Sequence, residues 1–221
     1  VQLWDISQRT RHKALGTLDG SSTEYQTLAF SPDGTLIAAQ TEKGTVQLWQ
    51  VAPDTRLKPA GTITTKRGKA TALAFGPHGS TLLVGDGSGS LTTWDVSHPG
   101  RPRLKGTAAL HSDAIRGLAV HPSGTLAATA GADGRIRLLD IGDLNHPLKV
   151  AALSSGDLYP LATLGFSPDG RLLAAASDLG TRLWTVDRKA ILQRLCAESP
   201  RITRNQWSQY LPDRPYDPPC A

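Results

Sequence analysis

The stretch Ser31-Pro32-Asp33-Gly34-Thr35-Leu36-Ile37-Ala38-Ala39, followed by Gly44 and then Val46-Gln47-Leu48-Trp49, decides how this chain folds, because its parts recur at one interval. The turn returns as Gly76-Pro77-His78-Gly79 and His121-Pro122-Ser123-Gly124 at steps of 45 residues, and as Ser167-Pro168-Asp169-Gly170 after 46. Trp4, Trp49, Trp94 and Trp184 lie at multiples of 45 residues, and Leu139 fills the remaining slot. A second glycine turn falls between them at Gly44, Gly89, Gly134 and Gly180. The last unit is one residue short between Gly180 and Trp184, which reconciles the two spacings.

Each unit reads as strands punctuated by turns. Proline presets φ at the first central position of the turn and glycine supplies a positive φ at its exit, the requirement of a tight hairpin. Short apolar segments precede the turn (27–30, 71–75, 117–120, 163–166) and others follow it (36–39, 172–176). They do not alternate with polar residues, which predicts that both faces of each sheet are covered. A third strand ends at the ruler position, and an outer fourth strand follows. Self-similarity at about 40 to 45 residues is the mark of a β-propeller blade.

The predicted fold is therefore all-β: a partial ring of four complete four-stranded blades (21–65, 66–110, 111–155, 156–196) preceded by the outer half of a fifth (1–20). Val1-Gln2-Leu3-Trp4-Asp5 reads as the third strand of a unit whose first two strands are missing, so further blades and domains are expected upstream. After Cys196 the character changes. Thr203-Arg204-Asn205-Gln206 has capping-box spacing and opens a short helix through Tyr210, and Pro212, Pro215, Pro218 and Pro219 forbid further regular structure. Residues 197–221 are thus a helix and a proline-rich clasp.

With 221 residues and 39% hydrophobic content, the chain can bury a core. It contains no run of apolar residues long enough for a membrane span and opens on no basic-then-apolar leader, so a cytoplasmic location is expected. Cys196 and Cys220 lack zinc spacing and are too few for a disulfide scaffold; free thiols are expected.

The Ser-Pro-Asp-Gly turn, the second glycine turn and the endings Val46-Gln47-Leu48-Trp49 and Arg182-Leu183-Trp184 resemble the WD-repeat propellers across residues 1–196. The resemblance implies a ring, of seven blades in most members, that acts as a rigid assembly platform without an active site. Members tie a blade together with a His, a Ser or Thr, an Asp and the Trp. Here His111, Thr129 and Asp133 fill the first three places and Leu139 replaces the fourth. Lys66 and Asp157 stand near the His slot elsewhere, so burial carries more of the stability of those units.

The string Ile202-Thr203-Arg204-Asn205-Gln206-Trp207, through Tyr210-Leu211-Pro212 and Pro215-Tyr216 to Pro218-Pro219-Cys220, resembles the tail that closes WD-repeat regions of bacterial STAND-type signalling NTPases and related regulators. That resemblance implies a C-terminal sensor or interaction region downstream of a nucleotide switch. No Walker-type phosphate loop occurs in the chain, so the NTPase chemistry is not carried by these residues.

Partner contacts are expected on loops between a fourth strand and the next first strand, held by a rigid scaffold. Tyr25, Arg67, Arg116 and Tyr159 are the candidates, because interface hot spots favour Tyr and Arg. The charge of +5 is distributed with the period: Arg11, Arg56 and Arg101 are 45 apart, as are Lys13, Lys58 and Arg103, with Lys149 and Lys189 in later units. Cations on exposed strands discourage edge-to-edge pairing. The alternative is a belt for nucleic acid or another acidic surface, against which stand the missing interleaved aromatics and the nearby Asp5, Asp95 and Asp140. The remaining histidines (His12, His78, His98, His121, His146) are scattered, and no nucleophile–base pair, carboxylate pair or metal set stands out. No cofactor is expected; a lactonase-like propeller enzyme is the minor alternative. The reading is a non-enzymatic platform for a protein partner or an intramolecular domain, prone to self-association when isolated.

Overall fold

The computed structural model describes residues 2–6, 12–17, 25–52, 57–65, 68–154, 163–187, 203–210 and 215. Three four-stranded antiparallel sheets follow one another in the chain. The first contains β3 (Tyr25–Phe30), β4 (Leu36–Thr41), β5 (Val46–Val51) and β6 (Leu57–Ile63). The second contains β7 (Ala70–Phe75), β8 (Thr81–Asp86), β9 (Ser90–Asp95) and β10 (Arg103–Ala109). The third contains β11 (Ile115–Val120), β12 (Leu126–Gly131), β13 (Arg135–Asp140) and β14 (Leu148–Ser154). They are preceded by a pair, β1 (Gln2–Asp5) and β2 (Lys13–Thr17), and followed by β15 (Thr163–Phe166), β16 (Leu172–Ser177) and β17 (Gly180–Thr185). The stretch expected to supply a fourth strand to the last sheet lies outside the described residues. No helix among the described residues is long and apolar enough to cross a membrane.

The first turn of each unit forms as its residues dictate. Ser31 Oγ donates to Asp33 Oδ1 (2.5 Å) and accepts from Leu36 N–H (2.8 Å), while Thr35 N–H bonds the same carboxylate (3.1 Å). Ser167, Asp169, Arg171 and Leu172 repeat this pattern 136 residues later. The second turn has a further task. Gly89 sits at φ 80°, and a Cβ there would collide with the carbonyl of His111. That close approach lets the Gly89 carbonyl accept from the N–H groups of Leu110 (3.0 Å) and His111 (2.9 Å), joining the second sheet to the third. The Gly44 carbonyl accepts from Ala70 N–H (3.0 Å) and joins the first to the second.

Successive first strands pack on one another, β3 against β7, β7 against β11 and β11 against β15, so the sheets converge there and fan outward. Three apolar layers fill the wedges. Leu36, Ala38, Val46 and Leu48 of the first sheet meet Phe75, Leu82, Val84 and Trp94 of the second. Ala72, Leu83 and Leu91 meet Ile115, Ala127 and Leu139. Ala128, Ala130 and Ile136 meet Leu173, Ala175 and Trp184. The ruler residues Trp94, Leu139 and Trp184 thus all face the preceding sheet. Trp49 does the same, buried with Ile37 and Ala39 against Leu3 and Leu57.

Burial stops where a neighbouring sheet stops. Strand β4 is buried throughout, as the lack of alternation predicts, whereas β3 alternates half-buried with exposed. Leu28 and Phe30, whose counterparts Leu73 and Phe75 lie in an inter-sheet layer, are exposed because, among the described residues, only the outer pair β1–β2 stands before them. Trp4, on β1, is 48% exposed, and Leu183, on the far side of the last sheet, is 61% exposed where the equivalent Leu48 is fully buried. Core packing of the indole therefore holds at Trp49 but not at Trp4, for want of a facing sheet among the described residues.

The short helix α1 (Arg204–Tyr210) carries a reciprocal cap. Gln206 N–H donates to Thr203 Oγ1 (3.3 Å) and Thr203 N–H to Gln206 Oε1 (2.9 Å), the arrangement that satisfies two orphan donors at a helix start.

Removing a fully buried indole deletes its transfer energy and leaves a cavity. Trp49→Ala should cost about 3 to 5 kcal/mol of unfolding free energy, whereas Trp4→Ala should cost under about 2. Chemical denaturation of the two variants checks the contrast, and equal losses would contradict the facing rule.

Candidate functional site

Two polar constellations lie at the same end of the sheets, where first strands begin and second strands finish. One is the buried cluster of the third sheet. His111, in the approach to β11, places Nδ1 2.8 Å from Asp133 Oδ1 and Nε2 2.9 Å from Thr129 Oγ1. A carboxylate has no proton to give, so in the tautomer that satisfies Asp133, Nδ1–H donates to it and Nε2 accepts from the Thr129 hydroxyl, while Arg137 Nη1 also lies against Nδ1 (2.5 Å). Arg137, two residues before Leu139, donates to Asp133 Oδ2 (3.0 Å), and Ser112 N–H reaches the same oxygen (3.3 Å). Sequence reading supplied His111, Thr129 and Asp133 but missed Arg137. Its signal is visible in hindsight: Arg137 shares a strand face with Leu139, which supplies no polar atom.

Burial holds the His111 imidazole below its ordinary pKa of 6.5, reinforced by the Arg137 charge and only partly offset by the hydrogen bond to Asp133. For Asp133, burial pushes the carboxyl upward, but the His111 bond and charge and the Arg137 bond outweigh it and leave the pKa lowered. Asp, His and a hydroxyl in series have the connectivity of a hydrolytic triad. The hydroxyl, however, is fully buried and already donates to the imidazole, so no substrate reaches it. The cluster clasps the approach to β11, strand β12 and the following turn.

The second constellation is a row of bulges. Register breaks in the first strands fall between Tyr25 and Thr27, Ala70 and Ala72, and Ile115 and Gly117, leaving Gln26, Thr71 and Arg116 unpaired at the 45-residue period. A bulge re-aims its side chain. Gln26 accepts from Gln40 Nε2 (3.0 Å), and Thr71 Oγ1 donates to the Ile115 carbonyl (2.7 Å), tying β7 to β11. Arg116 is exposed. Of the four candidate contact residues, Arg116 is thus a presented side chain. Tyr25 is half-buried near Trp49, its hydroxyl donates to Gln47 Oε1 (3.2 Å), and burial raises its pKa. Arg67 and Tyr159 lie outside the described residues, as do Cys196 and Cys220.

On the outer strands Lys13, Lys58, Arg103 and Lys149 are exposed, as is Arg101 in the turn before β10; Arg11, Arg56 and Lys189 lie outside the described residues. Register sets Lys13 opposite Asp5 and Arg103 opposite Asp95. Asp95 has a lowered pKa, chiefly from its bonds to Ser97 and further from Lys105 and Arg103. Part of the row is thus matched by acids across the strand.

Comparison with protein families finds the WD domain, G-beta repeat, at residues 12–50, 103–140 and 153–185. Together with the stacked antiparallel sheets, these repeats define a partial WD-repeat β-propeller. Such repeats serve as protein-interaction scaffolds. The matched stretches leave out 51–102, where the structure shows an equally complete blade, β7–β10. No curated protein matches the chain.

The lowered His111 pKa carries a sign. The unfolded imidazole takes up a proton that the folded one resists, so this contribution is fully present above about pH 6.5 and lost as pH falls toward the folded value. Asp133 acts in the same direction at lower pH. The thermal midpoint should therefore fall between pH 7 and 5, and His111→Gln should flatten that slope while lowering the midpoint at pH 7; an unchanged slope would assign the pH dependence elsewhere.

Proposed function

We propose that this chain is a non-enzymatic interaction platform, the sensor or docking region of a larger bacterial signalling protein, and that its partner or an intramolecular domain contacts the bulged starts of the first strands. The observation that carries this reading is Arg116. It is held at a bulge on an innermost strand between inter-blade layers, and an arginine presented from a rigid base loses little conformational entropy on binding. The tail resemblance at 202–220 supports the signalling context, and the paired charges on β1–β2 and β9–β10 weigh against a one-sign belt for nucleic acid. The isolated chain is expected to self-associate through the apolar faces that carry Phe30 and Leu183, since exposed patches of this kind are association sites.

The reading is tested by capturing partners on the immobilised chain from an extract of the source organism, beside its Arg116→Ala variant. The expected result is retention of a specific protein that weakens about tenfold or more in the variant, with an unchanged melting midpoint. Equal retention by both proteins, or salt-sensitive binding of nonspecific duplex DNA in place of any protein, would overturn it.

A further inference from the structure

The blades are equivalent position by position, so a space filled in one and empty in the next is informative. In the third blade, Arg137 extends along β13 and sets its guanidinium on Asp133 beside His111. The second blade has Thr92 at the corresponding position and Ser88 at that of Asp133. A cleft of about 260 Å³ opens there, walled by Thr64, Asp86, Thr92, Trp94 and Thr107, with Leu104 at its rim. Pockets for drug-sized ligands begin near 300 Å³; this one suits a single side chain.

Its chemistry is specific. Asp86 is 2% exposed and corresponds to Gly131 of the third blade, where a Cβ would run into the His111 ring and the Asp133 carboxylate. The Asp86 side chain therefore projects toward the place where the third blade keeps its own carboxylate. One oxygen, Oδ1, accepts from Ser88 N–H (2.9 Å), Ser88 Oγ (2.7 Å) and Ser90 N–H (3.0 Å). Among the described residues, Oδ2 has no hydrogen-bond donor or cation against it. The indole of Trp94 forms another wall, oriented by its own bond from Nε1 to Thr92 Oγ1 (2.9 Å). A buried carboxylate beside an indole ring and threonine hydroxyls is a set of acceptors and π density for a cation.

We propose that this cleft is a binding site for an arginine side chain of a partner polypeptide, whose guanidinium would take in the second blade the place that Arg137 takes in the third. The planar fork donates to Asp86 Oδ2 and to the hydroxyl oxygens while its face lies on Trp94, an arrangement that an ammonium meets less well. The biological use of the site rests on the platform reading. The site itself does not, and small probes separate the two: an empty cleft would leave the Arg116 face standing as a docking surface.

The test is titration of the full chain with N-acetyl-arginine amide, N-acetyl-lysine amide and the neutral citrulline analogue, followed by tryptophan fluorescence and by NMR of the indole N–H. Arginine is expected to bind and shift the Trp94 resonance, assigned through Trp94→Phe, with citrulline about tenfold weaker or silent. Asp86→Asn, which keeps an oxygen for the Ser88 and Ser90 amides, should lose a similar factor. Thr92→Arg should fill the cleft from within and abolish binding of the probe, keeping the question answerable if Asp86→Asn misfolds. Equal binding of arginine and citrulline, binding that survives Thr92→Arg, or no shift at Trp94 would each overturn the assignment.

Discussion

Contact between the faces of successive sheets is the interaction on which this structure depends. A four-stranded sheet buries little by itself; here each blade presents one apolar face backward, carrying its ruler residue, and another forward, carrying aliphatics such as Leu48 and Leu138. Trp94 against the first blade, Leu139 against the second and Trp184 against the third are instances of one packing rule. Burial follows it closely: Leu48 is fully buried between two sheets and Leu183, its equivalent, is exposed, with no further sheet against it among the described residues. Stability in such a stack is the sum of blade and nearest-neighbour terms.

Polar interactions fix the stack at the points where strands turn. The glycine carbonyls at positions 44 and 89 accept from the approach to the next blade, and Thr71 bonds the Ile115 carbonyl across the inner strands. Further out, Thr93 Oγ1 donates to the Leu144 carbonyl (2.6 Å), and His121 Nε2 to the Gly170 carbonyl (2.9 Å). The His111 cluster adds a buried His–Asp–Thr network to the third blade. The buried indole nitrogen of Trp49 marks the contrast, since it has no hydrogen-bond partner among the described residues. The first blade has Ala39 where the third has Thr129.

Turns and strands were legible because their causes are local. Pro and Gly at fixed offsets, and aliphatics between them, produced strands within two residues of the expected ranges. The cap on α1 was legible for the same reason, because Thr203 and Gln206 meet through three residues of chain. Three of the four members of the buried cluster were supplied by the resemblance to WD-repeat blades, which implies a His, a Ser or Thr and an Asp at these places. Arg137 was not, because its role arises only when β13 lies beside β12 and brings the guanidinium onto Asp133. The candidate contact residues fared differently by position: Arg116 is presented by a bulge, whereas Tyr25 turns into the packing around Trp49, a distinction made by the register of β3 on β4.

By itself the sequence determined the repeat, its turns and the strand position that carries the large ring, since a period of 45 residues and the conformational limits of proline and glycine act through neighbouring residues. The tertiary structure alone decided which rings are covered, which bulge presents its side chain, and that Asp86 lies in a cleft while Asp133 lies in a clasp. Those outcomes depend on what stands across the gap between blades, and that distance is set by packing, not by spacing along the chain.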